Sequence, residues 1–172
     1  PNSVTSIASR AFEGCSSLTS VSIGKGVTSI GESAFYCCDA LNSVHISDLT
    51  SWLNIDFQLT LTSNPLYTAH HLYLNGEEIK DLIIPENVTT IGNYAFYGCS
   101  SLTSVVIPDS VTSIGSNVFS GCSSLESMTI PFVGGSANAS SPSASTLFGY
   151  LFGTASYTGG TATKQYYSSG YY

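Results

Sequence analysis

A single phrase recurs through the chain and limits what it can fold into. Residues 88–108 read VTTIGNYAFYGCSSLTSVVIP, and sister phrases begin at Val4, Val27 and Val111. The first two copies start 23 residues apart, as do the last two. Each copy holds a Val-Thr pair, an Ile three residues after the Val, a Phe, a Cys and a Leu. Each then closes on a short β-prone run ending in Ile. A fixed period in this range marks a solenoid, in which each unit stacks only on its neighbours.

Within each copy, the pairs Val21/Ile23 and Val44/Ile46 alternate with polar residues. That period of two predicts a strand with one face buried. The Ala-Phe segments are too short for a standing helix and predict one or two helical turns. Gly14, Gly98 and Gly121 follow those turns, where a left-handed cap is commonly needed. Cys37 stands at the same place in the second copy and predicts a strained or differently shaped turn there.

The period fails between Ser47 and Asn87. The Val44/Ile46 pair is followed by Leu82/Ile84 38 residues later, which reads as one enlarged repeat. Asp48 is placed to cap a short helix holding Leu49, Trp52, Leu53 and Ile55. Beyond the turn signal SNPLY, the run HLYLNGEEI sets Asn75-Gly76 between alternating apolar residues, which predicts a hairpin. After Pro131 the phrase stops, and residues 132–172 are rich in Gly, Ser, Thr and Tyr. LFGYLF at 147–152 is apolar enough to pack, and a second hairpin is expected around Gly159-Gly160. The chain therefore divides into regular repeats (1–47), the enlarged repeat (48–87), regular repeats (88–131) and an insertion or tail covering the solenoid end (132–172).

Only 9% of the 172 residues are charged, which fits an extracellular or cell-surface protein better than a cytosolic enzyme. A net charge of −7 with four Lys plus Arg argues against nucleic acid and anionic membranes, because phosphate neutralisation needs clustered cations. No apolar run reaches the ~18 residues of a transmembrane helix. Pro1-Asn2-Ser3 matches Pro108-Asp109-Ser110, so the chain reads as a piece cut from a longer protein at a repeat boundary.

The phrase IPDSVTSIGSNVFSGCSSLESMTIP and its three sisters resemble the BspA-like subclass of bacterial leucine-rich repeats, over about two thirds of the chain. The resemblance implies a right-handed leucine-rich-repeat solenoid, with parallel strands and short helical turns, in a secreted or surface-anchored modular protein. It implies adhesion to host proteins, other bacteria or host cells; the sequence itself gives no reason to expect a cofactor.

Several residues are candidates for function. Strand positions facing away from the core are Ser20, Ser22, Ser43, His45, Asp81, Ile83, Ser104, Val106, Ser127 and Thr129. They predict a shallow hydroxylated surface with an apolar centre at Ile83 and Val106. It is either a binding face or merely solvated. Trp52, Tyr67 and Tyr73 form a second group. Exposed together they suit protein hot spots or sugar stacking. Buried they are the core of the enlarged repeat, which is the favoured reading. Partners are therefore surface proteins of a host or of bacteria, with glycans as the alternative and a pure spacer as a third reading.

Catalysis and metal binding find little support. Cys15, Cys38, Cys99 and Cys122 share one repeat position, so stacking at about 4.8 Å should give a buried ladder of free thiols. Zinc needs four converging ligands, which a linear stack does not offer. Cys37 lies outside the row and is the first candidate for a reactive thiol, yet nothing nearby in sequence suggests activation. No G-x-S-x-G, H-E-x-x-H or P-loop occurs. Glu77, Glu78 and Asp81 read as a solvated face rather than a glycosidase pair. A Cys–His pairing of Cys37 or Cys38 with His45 is formally possible. Asn87-Val88-Thr89 and Asn138-Ala139-Ser140 fit the glycosylation pattern and are taken as chance matches.

Overall fold

The computed structural model describes residues 1–58, 61–138 and 149–153, and the backbone of 148, 166–167 and 170–171. Its main body is a leucine-rich-repeat solenoid of about five turns with parallel strands and few helices. Each regular turn contributes two strand segments. The Val-Thr phrase gives the first: β1 (Ser6–Ile7), β3 (Ser29–Ile30), β8 (Thr90–Ile91) and β10 (Ser113–Ile114). The run closing on Ile gives the second: β2 (Ser20–Ile23), β4 (Ser43–Ile46), β9 (Ser104–Val106) and β11 (Ser127–Thr129).

The pairing register equals the sequence period. Ile7 sits beside Ile30, Val21 beside Val44, Ile91 beside Ile114, and Val105 beside Met128. Like residues therefore stack on like. The apolar set of one turn meets the same set of the next, and Ile30, Val44, Ile91, Leu102, Val105, Ile114 and Phe119 are all buried. Between the columns the chain runs over hydroxylated turns, with Thr28 Oγ1 donating to the Thr5 carbonyl at 3.1 Å.

Close stacking explains a glycine position. A Cβ on Gly31 would press on the Ser9 backbone nitrogen, and one on Gly115 on the Asn93 nitrogen. In the first turn the same position is Ala8, which is exposed. A second repeated feature has no glycine at all. Arg10, Ser33, Tyr94 and Asn117, each two residues before the Phe, adopt φ of +55° to +60°. Cys37 has φ +57°, beside +70° to +78° at Gly14, Gly98 and Gly121, so the second turn keeps the shape and places a side chain in a left-handed conformation.

The enlarged repeat contains a complete turn of its own. Asp48 accepts from the Ser51 amide at 2.6 Å and opens α1 (Leu49–Leu53). Residues 53–57 then take the place of a Val-Thr phrase. Ile30 N donates to Asp56 O at 2.9 Å, and Gly92 N donates to Leu53 O at 3.1 Å. A 3-10 turn (Leu61–Ser63) and α2 (Leu66–Ala69) replace the Ala-Phe turn, and β5 (Leu72–Leu74) pairs in parallel with β4. Asn75 and Gly76, both at positive φ, reverse the chain into β6 (Glu77–Glu78), antiparallel to β5.

This corrects the expectation of one continuous strand face. Leu82 lies in β7 (Asp81–Ile83), which pairs with β9 and not with β4. The return strand β6 takes the free edge of β5, so β7 has no place in that sheet. These strands form two sheets, ordered β2-β4-β5-β6 and β7-β9-β11, beside the two-stranded pairs β1-β3 and β8-β10 of the Val-Thr phrases.

The phenylalanines of the four phrases, Phe12, Phe35, Phe96 and Phe119, do not form a single buried column. Phe12 stacks on Phe35 at 5.1 Å and Phe96 on Phe119 at 5.8 Å, while the intervening turn carries α2 with its buried Leu66. Phe12 is 36% exposed because it belongs to the first described turn, with no turn packed on its outer side.

Beyond Pro131 the stack continues without the phrase. Ile114 N donates to Gly135 O at 3.0 Å, and Ala137 N to Thr112 O at 3.1 Å. The helix α3 (Phe148–Phe152) lies along the Phe119 turn, with Asn117 N donating to Tyr150 O, Phe119 N to Leu151 O, and Leu151 buried. Further on, β12 (Tyr166–Tyr167) and β13 (Gly170–Tyr171) pair antiparallel. The hairpin expected at Gly159-Gly160 lies outside the described residues.

Candidate interaction surface

Alternation in the strands sends every second side chain outward, and the register lines these up in rows. On the second sheet one row is Asp81, Ser104 and Ser127, and the next is Ile83, Val106 and Thr129. Ser104 donates to Asp81 Oδ1 at 2.5 Å, and Thr103 Oγ1 reaches the same oxygen at 3.3 Å. Ile83 is 69% exposed and Val106 41%. Two branched apolar side chains thus stand side by side in water on adjacent strands.

On the first sheet the outward row is Ser22, His45, Tyr73 and Glu78. Ser20 and Ser43 form the row beside it. His45 and Tyr73 stack at 4.8 Å with 23° between their planes. Around them opens a cleft of about 450 Å³ lined by Asn42, Ser43, His45, His71, Tyr73 and Glu78. The two rows meant to form one surface lie on separate sheets, so Ser22 and His45 share no sheet with Ile83 and Val106.

At the cleft floor His71 Nδ1 lies 2.5 Å from Glu78 Oε1, and Ser101 Oγ donates to the same oxygen at 2.6 Å. The Ser101 hydroxyl first, and His71 after it, hold the Glu78 carboxyl below the usual range for glutamate. An ionised carboxylate only accepts, so His71 carries its proton on Nδ1 in this contact. Ser, His and Glu are together, but the serine proton goes to the carboxylate and not to the imidazole. The arrangement therefore differs from a Ser-His-acid triad, in which the imidazole takes the serine proton. What the trio does is tie the hairpin strand β6 to the next turn. Sequence reasoning missed it, because 30 residues separate His71 from Ser101 and no motif links them.

A scan against protein-family models matches the description "BspA type Leucine rich repeat region", in six copies, over residues 1–64 and 67–139. The chain belongs to the BspA-type leucine-rich-repeat family. Among solved structures, this BspA-type chain is 28% identical to a leucine rich cell surface protein from Faecalibacterium prausnitzii A2-165. The match covers 76% of this chain and 34% of that one, with a TM-score of 0.44. It is 24% identical to the leucine rich repeat protein of T. pallidum (73% and 62% covered, TM-score 0.40). It is also 24% identical to one from Bacteroides ovatus ATCC 8483 (76% and 36%, TM-score 0.41). The chain thus spans about a third of the first of these and under two thirds of the second. No curated protein matches.

In these BspA-type repeats the aromatic candidates separate. Trp52 is 1% exposed, its Nε1 donates to the Ala95 carbonyl at 2.8 Å, and Phe57 packs edge-on at 5.3 Å. It is core, and its place among binding residues is withdrawn: the indole staples the irregular turn to the next regular one. Tyr67 is exposed and stacks on Tyr97 at 6.0 Å, which meets Tyr94 at 6.3 Å. Burial, with Tyr67 and Tyr94 after it, raises the Tyr97 hydroxyl above its ordinary value. Tyr73 stands half-buried in the cleft, so the three aromatics do not share one face.

The cysteine row is broken as the phenylalanine column is. Cys38 donates to the Phe12 carbonyl at 3.1 Å and Cys122 to the Phe96 carbonyl at 3.2 Å. Cys38, Cys99 and Cys122 are buried free thiols, whereas Cys15, in the first turn, is exposed and so not part of a buried ladder. Burial pushes Cys99 well above the ordinary thiol range and Cys122 up to about 12. Cys37 is exposed on its left-handed turn. Among the described residues no group of His, Cys, Asp and Glu is placed to hold a metal, and no helix is long and apolar enough to cross a membrane.

Proposed function

We propose that this chain is a non-catalytic binding module of a secreted or cell-surface bacterial protein, mediating adhesion through protein–protein contact. The observation that carries the reading is the exposed Ile83–Val106 pair on β7 and β9. A branched apolar pair in water, ringed by Ser104, Asp81 and Thr129, has the composition of a small interface centre with a polar rim. Membership of the BspA-type family supports an interaction role, and the partner is a surface protein of a host or of another bacterium. The glycan alternative loses its main support, since the indole of Trp52 is not available for stacking.

Repeat arrays gain avidity through multivalency. The test is therefore capture of host extracellular proteins by the chain displayed in many copies on a bead, with a glycan array beside it. Protein capture abolished by Ile83→Asp with Val106→Asp supports the proposal. Capture that survives both changes, or binding to glycans alone, overturns it. Silence on both arrays transfers the chain to the spacer reading.

A further inference from the structure

We infer that the cleft between β4 and the β5–β6 hairpin is an anchor site for a basic side chain, an arginine by preference, of the protein partner. The inference deepens the proposed function and rests on it for the kind of partner. It starts from which groups in the cleft still have a hydrogen bond to make. Glu78 Oε1 is occupied by His71 and Ser101, while Oε2 has no hydrogen bond among the described residues. His71 carries its Nδ1 proton toward Glu78, so in the neutral ring Nε2 is a lone pair that can only accept. The Ser43 hydroxyl makes one long contact, 3.3 Å, with His45 Nε2. The cleft lined by these groups is rich in acceptors, and Glu78 is its only carboxylate.

A guanidinium has five donors, no acceptor and a permanent positive charge, so it fits such a wall. A carboxylate or phosphate ligand would face the Glu78 charge. A sugar needs an open aromatic face. Here the Tyr73 ring is stacked against His45, and across the strands Tyr73 is paired with Glu78. The whole chain, at −7 with four Lys plus Arg, favours a basic partner over an acidic one. Of its own basic side chains His71 and, after it, Lys80 act on Glu78, and Lys80 is the smallest of the effects there. The latch also keeps the carboxylate from swinging away, so little ordering is required on binding.

The experiment is an NMR titration of the chain with N-acetyl-arginine amide, following the His45 and His71 imidazoles and the Tyr73 ring. N-acetyl-glutamate amide and N-acetylglucosamine are titrated as separate arms. Expected is a saturable shift with the arginine probe alone, in the millimolar range and weakened by salt. Glu78→Gln should lower affinity roughly tenfold or more, the usual loss with one charge-assisted bond, while its amide oxygen still accepts from Ser101 and His71. Ser43→Ala, outside the latch, should weaken binding less. Ile83→Asp should leave the titration unchanged. Absence of saturation, an equal response to the glutamate or sugar probe, or unchanged affinity in a folded Glu78→Gln variant would each overturn the inference. Protein capture through Ile83 and Val106 is read separately, so the two proposals can fail independently.

Discussion

Phe96 is buried and stacks on Phe119 with their planes 4° apart. Phe96→Ala should destabilise the chain by about 3–5 kcal/mol, since a cavity between two stacked turns cannot easily collapse. Phe12→Ala should cost markedly less, because that ring already meets water on one side. Denaturant melts of both variants check this, and equal losses would mean that the first turn is as packed as the fourth. The buried thiols give a second expectation. Alkylation of the native chain should modify Cys15 and Cys37 and spare Cys38, Cys99 and Cys122, as peptide mapping would read. The sign of the pH effect follows from the raised Cys122 value of about 12. Folding favours the protonated thiol, so this contribution is complete below the unfolded value of about 8.5 and is lost as pH rises from there toward 12.

At the scale of the element, a turn must let its neighbour's backbone approach. Gly115→Ala should destabilise by more than about 1 kcal/mol, because the new Cβ meets the Asn93 main chain, which cannot give as a flexible side chain would. Ala8→Gly, at the equivalent exposed position of the first turn, should stay within about 0.5–1 kcal/mol, through loss of chain stiffness alone. Thermal melts of the pair separate stacking from propensity. A similar cost for both would remove the close-approach explanation.

For the whole molecule, stability is a sum over neighbouring turns. The two ends are unlike. The last repeat is covered by residues 135–137 and by α3, while the first shows Val4 and Phe12 to solvent. Amide hydrogen exchange should therefore be fastest in β1 and β2 and slowest around β8 and β9. Uniform protection along the stack would mean that the solenoid opens as one unit.

The sequence by itself determined the period, and with it the register, the buried Val, Ile and Leu of the strands and the solenoid. A repeat that stacks like on like leaves no other way to bury those residues. It also specified the Asp48 cap and the Asn75-Gly76 reversal, since both act within a few residues along the chain. Only the tertiary structure decided what depends on distant partners. The indole of Trp52 bonds a carbonyl 43 residues away. Tyr94, Ser33 and Arg10 take left-handed backbone with no residue type to announce it. The edge of β5 goes to β6, an outcome of competition between strands for one row of hydrogen bonds. That competition splits the outward face in two, and it brings Glu78 against His71 and Ser101.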